Sequence, residues 1–219
     1  MYLAIEGVIG VGKTTLARTL QSIFNTQLLL EVFEENPFLS DFYSDRARYA
    51  FQTQIFFLLS RYRQQRANVP QLLAQGVNLI SDYTFEKDSL FARINLAGDE
   101  LNMYQKVHEA LAEKIPLPNL VVYMRASTNV LMRRIAMRDR TYERNIERKY
   151  IDELNHAYDD FFTGFSKSCP TLIIESDNLD FVARPEDLKI IESRIRQALE
   201  ALPFQPELPL GVKLNEKDL

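Results

Sequence analysis

The chain has a single cysteine, Cys169, in 219 residues. One thiol builds neither an internal disulfide framework nor a cysteine-based zinc site, and its plain reading is an inert side chain. Charge of one sign is also scarce. Lys and Arg total 26 against 30 Asp and Glu, the net charge is −4 and the pI about 5.4, which argues against a nucleic-acid polymer as main partner. No apolar run is long enough to span a membrane, and a strand expected from residue 2 leaves no room for a signal peptide. The expectation is therefore a cytoplasmic protein with no membrane partner. There is no internal repeat and no D-x-x-G, and "NEKD" near the end has the wrong order for N-K-x-D. A GTPase-type switch or binding module should show both motifs. What is present is ordinary for a globular domain: 46% hydrophobic and 26% charged residues, enough for one domain with a full core.

Against that plain background one stretch stands out, "EGVIGVGKTT", Glu6 to Thr15. Gly7, Gly12, Lys13 and Thr14 satisfy G-x-x-x-x-G-K-[ST]. The context fits, because "YLAI" before it reads as a short apolar strand and "TTLARTLQSIF" after it has apolar residues at helical spacing. Gly7, Val8, Ile9, Gly10, Val11, Gly12, Lys13, Thr14 and Thr15 are then the phosphate-holding stretch. Glycines let backbone N–H groups close around phosphate oxygens, and the helix N-terminus adds partial positive charge. Lys13 is expected to reach the outer phosphates and the Thr14 hydroxyl to ligate Mg²⁺. A glycine-rich turn before an ordinary helix is the bland alternative.

Strands and helices alternate beyond this point. "QLLLEVF" (Gln27 to Phe33) reads as a second strand ending near Glu31, "NPF" breaks the pattern, and a helical run covers roughly Arg46 to Ala67. "GVNLISD" (Gly76 to Asp82) reads as a third strand, and helices fit Phe85 to Asn95 and Glu100 to Lys114. "PNLVVYMRA" (Pro118 to Ala126) is continuous and apolar, as a strand buried on both faces should be. Two helices with a charged break near Arg138 to Asn145 follow, then a fifth strand, "TLIIES", and a last helix from Pro185 to Leu202. The proline-bearing polar tail, 203–219, is expected to be loosely held. This order predicts an α/β fold: a five-stranded parallel sheet with helices on both faces, one domain over 1–202. Ligands in such sheets bind at the carboxyl ends of the strands.

That rule singles out side chains. Glu31 and Asp82 close the second and third strands, where an acid either holds Mg²⁺ or takes a proton from an incoming hydroxyl. Asp82 has a second reading, as the cap of a helix starting near Phe85. "RRIAMRDRTYERNIERK" is dense in arginine. Arg134 and Arg138 lie one helical turn apart and Arg140 follows, a set suited to stabilising charge on a transferring phosphoryl group as a lid over about 138–146. A solvated helix salt-bridged through Asp139, Glu143 and Glu147 is the competing reading. Gln54 and Arg61 share a face of the long helix, and the pattern alone leaves their role open.

Together these segments resemble the deoxynucleoside kinase family, most closely its bacterial deoxyguanosine and deoxyadenosine kinase branch. The matching stretches, in family order, are "IEGVIGVGKTT", "ENPFLSDFYSDRARYAFQTQIFFLLSRYRQQ", "ISDYTFEKDSLFA", "LPNLVVYMRAS" and "RRIAMRDRTYE". The resemblance implies a P-loop kinase fold with an Arg-rich lid, an ATP or other nucleoside triphosphate donor with Mg²⁺, and a homodimer formed through packed helices. It implies that Glu31 lies near the sugar 5′-hydroxyl, that Tyr43 and Glu143 bind the 3′-hydroxyl, and that Gln54, Arg61 and Asp88 read the base. Phe91 then stacks on the base, and Arg134, Arg138 and Arg140 are lid arginines. The sequence departs from the family at "DYT" (Asp82-Tyr83-Thr84), where much of the family carries acid-Arg-Ser, so another cation, Lys87 or a lid arginine, is needed in place of that arginine. The expected activity is phosphorylation of a deoxynucleoside 5′-hydroxyl, with a purine as the base and deoxyguanosine slightly ahead of deoxyadenosine. Glu31 is expected as the proton acceptor and Asp82 as the metal-side acid. The runner-up is a nucleoside monophosphate kinase resembling thymidylate kinase.

Overall fold

The structure, a computed structural model, describes residues 1–33, 35–165 and 168–201. The tail reading for 203–219 lies outside the described residues. A parallel sheet of five strands forms the centre, in the order β2-β3-β1-β4-β5. Its strands are β1 (Tyr2–Glu6), β2 (Gln27–Leu29), β3 (Leu79–Ser81), β4 (Leu120–Arg125) and β5 (Thr171–Glu175). The central strands β1, β3 and β4 are buried almost throughout, as their apolar runs require when helices cover both faces.

The helices are α1 (Lys13–Phe24), α2 (Leu39–Ser44), α3 (Arg46–Ala74), α4 (Lys87–Asn95), α5 (Gly98–Ala112), α6 (Thr128–Arg138), α7 (Arg148–Phe165) and α8 (Pro185–Glu200), with a 3₁₀ turn at Thr141–Glu143. Several elements depart from the sequence expectation, each for a local reason. The second strand stops at Leu29 because side chains replace the ladder: Gln64 donates to the Leu30 carbonyl at 2.9 Å and the Glu31 N–H donates to Asp82 Oδ1 at 2.8 Å. Glu31 is thereby drawn out of the sheet toward the third strand. Residues 39–44 form a helix too short to show a period. It follows a turn in which Asn36 Oδ1 accepts from the Phe38 N–H at 3.0 Å. The long helix runs past Pro70 to Ala74 rather than ending near Ala67. Its last turns bring Val69, Leu72 and Leu73 onto Tyr2, Leu29, Leu79 and Tyr83, and this burial outweighs the backbone bond that proline removes. The next helix begins at Lys87, not Phe85, because Phe85 turns into the core and stacks on His108 at 4.9 Å.

Candidate functional site

Sterics fix the glycine-rich loop between β1 and α1. A Cβ on Gly7, at φ +147°, would stand 2.4 Å from the Met124 carbonyl oxygen, and one on Gly10 would meet Ile135 Cγ1 at 2.7 Å. Only glycine allows the loop to lie this close to the end of β4 and to α6. Gly12 precedes the first residue of α1, so the loop opens onto the positive end of a helix. Lys13 folds back over the loop, its Nζ donating to the Gly7 carbonyl at 2.7 Å and the Val8 carbonyl at 3.3 Å. Burial, and then the nearby Lys87 charge, push its ammonium down to about 8.

Opposite the loop the acids are already organised. Asp82 does not cap a helix. Its Oδ2 accepts from the Thr14 hydroxyl and its Oδ1 from the Glu31 N–H, so one carboxylate ties the loop to the segment after β2. The Glu31 carboxylate accepts from Arg61 Nε at 2.9 Å and from Lys87 Nζ at 2.7 Å. Burial alone would raise its pKa, but the Arg61 and Lys87 charges outweigh that and hold the carboxyl well below the usual carboxylate range. Lys87 therefore stands beside the acid where the "DYT" triplet lacks an arginine. Tyr83 itself points into the core, donating to Gln64 Oε1 at 2.6 Å. Arg61 spans two acids, because its other amino group pairs with the buried Asp88.

The arginine-rich segment folds against the same space. Arg138 pairs with Glu143 through Nε at 3.1 Å and through its terminal amino group at 2.5 and 2.6 Å. Arg140 lies 3.6 Å from Glu143 and its guanidinium sits 4.1 Å over the Phe33 ring. Asp139 and Arg144 pair at 2.7 Å on the outer side, so the salt-bridge reading of this segment also has a physical basis. Arg134 turns elsewhere: it donates to the Val11 carbonyl at 3.2 Å and to the Ser176 carbonyl at 2.8 Å, knitting the loop to the end of β5. Tyr43 stacks parallel to Tyr142 with centroids 6.5 Å apart, and burial, then the neighbouring Tyr150, raise its phenol well above the ordinary value.

These side chains line adjoining hollows. One, of about 110 Å³, brings together Ile9, Gly10, Lys13, Thr14, Glu31, Tyr43, Arg61, Asp82, Phe91, Arg138, Arg140 and Glu143 from distant parts of the chain. A smaller one of about 30 Å³ continues it past Tyr43, Arg61 and Phe91 to Gln54. Asp88 lies behind Arg61, buried and outside both linings. A third and larger cavity, about 600 Å³, lies on the outer side of the loop, where Gly10, Val11, Gly12, Thr15, Arg134 and Arg138 face the segment Asp177–Arg184. That segment was not read from the sequence, although it follows the carboxyl end of β5 and the strand-end rule points to it. Phe33, Phe57 and Tyr158 line the hollow of about 110 Å³ as well and were not singled out from the sequence, Phe57 because the apolar residues of its long helix read as core or subunit interface.

The hollow can therefore receive a small polar molecule facing Glu31, with the loop and the arginines around a phosphate chain. Thr14 and Asp82 offer a hydroxyl and a carboxylate oxygen in contact with each other, a donor pair suited to a hard cation that keeps waters and phosphate oxygens as its other ligands. Among the described residues no cluster of three or more His, Cys, Asp or Glu forms an all-protein metal cage.

A family profile described as "Deoxynucleoside kinase" matches residues 3–200. The deoxyguanosine kinase of Bacillus subtilis is 33% identical over 201 residues, covering 90% of this chain and 97% of that protein. The deoxyadenosine kinase of Dictyostelium discoideum is 32% identical over 212 residues, covering 94% and 82%. Among solved structures, the deoxyadenosine kinase from M. mycoides with products dCMP and dCDP bound superposes with a TM-score of 0.78 at 26% identity, over 90% of this chain and all (100%) of that one.

Proposed function

This chain belongs to the deoxynucleoside kinase family and phosphorylates a deoxynucleoside from a nucleoside triphosphate, and from that premise we propose that the donor is ATP with Mg²⁺ and the acceptor a purine deoxynucleoside. The observation that carries the base assignment is the placing of Arg61 between Glu31 and Asp88. An arginine anchored by one acid presents a planar pair of N–H groups, and guanine offers two acceptors, O6 and N7, on one edge. Gln54 both donates and accepts, so it suits either purine. Phe91 supplies a stacking face that any base can use.

Pockets for ligands of this size run to roughly 300 Å³ or more, so the two small acceptor hollows must widen on binding. In our reading Arg61 keeps Asp88, gives up Glu31 to the base edge, and frees Glu31 for the 5′-hydroxyl. Tyr43 and Glu143 take the 3′-hydroxyl, with the deoxyribose between α2 and the 3₁₀ turn. Thr14 and Asp82 hold the Mg²⁺, which supplies charge neutralisation on the β- and γ-phosphates. The large outer cavity, flanked by Arg134, takes the donor base.

A panel of four deoxynucleosides and their monophosphates tests this reading. A buried polar reader left without its partner costs about 1–3 kcal/mol, so the wrong base should lose about tenfold or more in kcat/KM. Deoxyguanosine is expected to lead, deoxyadenosine to follow, and Arg61→Ala to erase much of the preference. If thymidine or deoxycytidine outperforms both purines, the base assignment is wrong.

The segment 138–146 acts as the lid. Arg138→Ala and Arg140→Ala are expected to lower kcat by about 10²-fold, as loss of one transition-state donor does elsewhere, with a smaller rise in deoxynucleoside KM. Unchanged kinetics with a lower melting temperature would leave only the salt-bridged turn.

The active unit is a homodimer through α3, whose outer face exposes Leu59 beside Val32. A monomer by analytical ultracentrifugation at micromolar concentration would remove that assignment. The proposed place of work is the cytoplasm. Recovery of the activity in a washed membrane fraction would contradict it.

A further inference from the structure

Glu6, the last residue of β1, is completely buried at 0% exposure. Among the described residues no cation forms an ion pair with it. Its carboxylate is surrounded by donors instead. Oε2 accepts from the Gly7 N–H at 3.1 Å and lies 3.4 Å from the Tyr158 hydroxyl, which donates to it. Oε1 accepts from the Thr84 N–H at 2.6 Å and the Thr84 hydroxyl at 3.2 Å. An apolar side chain here would leave these four donors without an acceptor, at a desolvation cost for each one buried. The arrangement needs two accepting oxygens at one place, which a carboxylate supplies and an amide does not.

Its partners belong to three parts of the site. Gly7 opens the phosphate loop, and its carbonyl accepts from Lys13 at 2.7 Å. The Gly7 residue is thus pinned by Glu6 through its N–H and by Lys13 through its carbonyl. Thr84 stands two residues after Asp82 and three before Lys87, on the segment that carries both charged groups. Tyr158 lines the acceptor hollow from α7. Burial, and then the Glu6 and Glu31 charges, keep its phenol well above the ordinary value, so it remains a donor.

We propose that Glu6 is a positioning residue for phosphoryl transfer: it fixes the spacing between the phosphate loop, the Asp82–Lys87 segment and Tyr158, and so holds donor and acceptor in line. It touches neither substrate. Two of its four donors are backbone N–H groups, which always donate, so both carboxylate oxygens must accept. Glutamine in its place keeps the shape but turns an NH₂ group toward either the Gly7 or the Thr84 N–H. One side of the site must then move. A misplacement of about 1 Å in such a site can cost about 100-fold in rate.

The inference rests on the kinase reading, so wild-type enzyme is run alongside with ATP and deoxyguanosine. If the wild type forms no acceptor-dependent ADP from any deoxynucleoside, the kinase reading fails, and with it this role for Glu6. With an active wild type, Glu6→Gln is expected to lower kcat per folded molecule about 10- to 100-fold, with deoxynucleoside KM changed less than about threefold. A kcat within about threefold of wild type, even with a lower melting temperature, would make Glu6 a merely structural residue and overturn the proposal. If Glu6→Gln does not fold, Thr84→Val and Thr84→Ser decide. Valine removes one donor to Glu6 and keeps the shape, while serine keeps the donor. A fall in kcat for Val that Ser restores supports the proposal, and equal kcat in the two variants and wild type overturns it.

Discussion

Lys13→Ala is expected to lower kcat about a thousandfold or more, which is about 4 kcal/mol of transition-state stabilisation. Lys13 starts the first turn of α1 and its ammonium already lies over the loop, bonded to the Gly7 and Val8 carbonyls. In the proposed reading those carbonyls are weak substitutes for phosphate oxygens, and the charge passes to the β- and γ-phosphates when a nucleotide enters. Folding should survive, because the loss is two hydrogen bonds in a partly solvated loop, each worth about 1 kcal/mol. Circular dichroism and a melting curve check that point before any rate is compared. The same ammonium gives a second signature. Its pKa is lowered to about 8, by burial first and by Lys87 second, so free enzyme loses the charge as pH rises through that value. Wild-type kcat/KM for ATP should therefore fall above about pH 8, while kcat, measured with phosphates bound, should hold to higher pH, because phosphates favour the charged form. Near-wild-type turnover by Lys13→Ala would mean that the loop does not bind phosphate as proposed.

Much of this site was legible in the sequence because its signals are local. The spacing of Gly7, Gly12, Lys13 and Thr14 lies within one stretch, and the apolar run at Leu120–Arg125 marks a strand covered on both faces. The order of strands and helices leads to a parallel sheet, and the carboxyl-end rule then points to Glu31 and Asp82. What was not legible depends on partners far away in sequence. The second strand stops early because Gln64, more than thirty residues on, takes the Leu30 carbonyl. The helix across Pro70 survives because Tyr2 and Tyr83 wait for its last turns. The sequence offered Lys87 or a lid arginine as the cation near the acid, and what places Lys87 there is a turn at residues 85–86 that no periodicity announces. Arg134 and Arg138 share a helix, yet one bonds the carbonyls at the end of β5 and the other pairs with Glu143. The face they share therefore did not settle what each one does.

Glu31→Gln should lower kcat by about 10²–10⁴-fold, the usual span for loss of a general base. In the proposed role Glu31 would be an unusual base, since Arg61 and Lys87 hold its carboxyl below the ordinary range despite burial. That keeps it ionised at any working pH but makes it a weak proton acceptor. The chemistry tolerates this, because the transition state of phosphoryl transfer is loose and needs positioning and charge more than strong deprotonation. A neutral amide at this position also leaves Lys87 without its counterion, and breaking a buried pair costs about 3–5 kcal/mol, so rates must be referred to folded enzyme. The sign of the pH dependence follows from the depressed pKa. Glu31 adds stability above the unfolded carboxylate value of about 4.3, and that stability is lost as pH falls toward the lower folded value. The gap in melting temperature between wild type and Glu31→Gln should accordingly be wide at neutral pH and narrow in acid. Asp82→Asn acts on the other side. Asparagine keeps one acceptor for the Glu31 N–H or the Thr14 hydroxyl but removes the negative charge of the proposed Mg²⁺ site. It should lower kcat strongly and raise the Mg²⁺ concentration needed for half-maximal rate, whereas Glu31→Gln should leave that concentration near the wild-type value. If the two Mg²⁺ titrations come out the other way round, Glu31 is the metal-side acid and Asp82 the group that receives the 5′-hydroxyl proton.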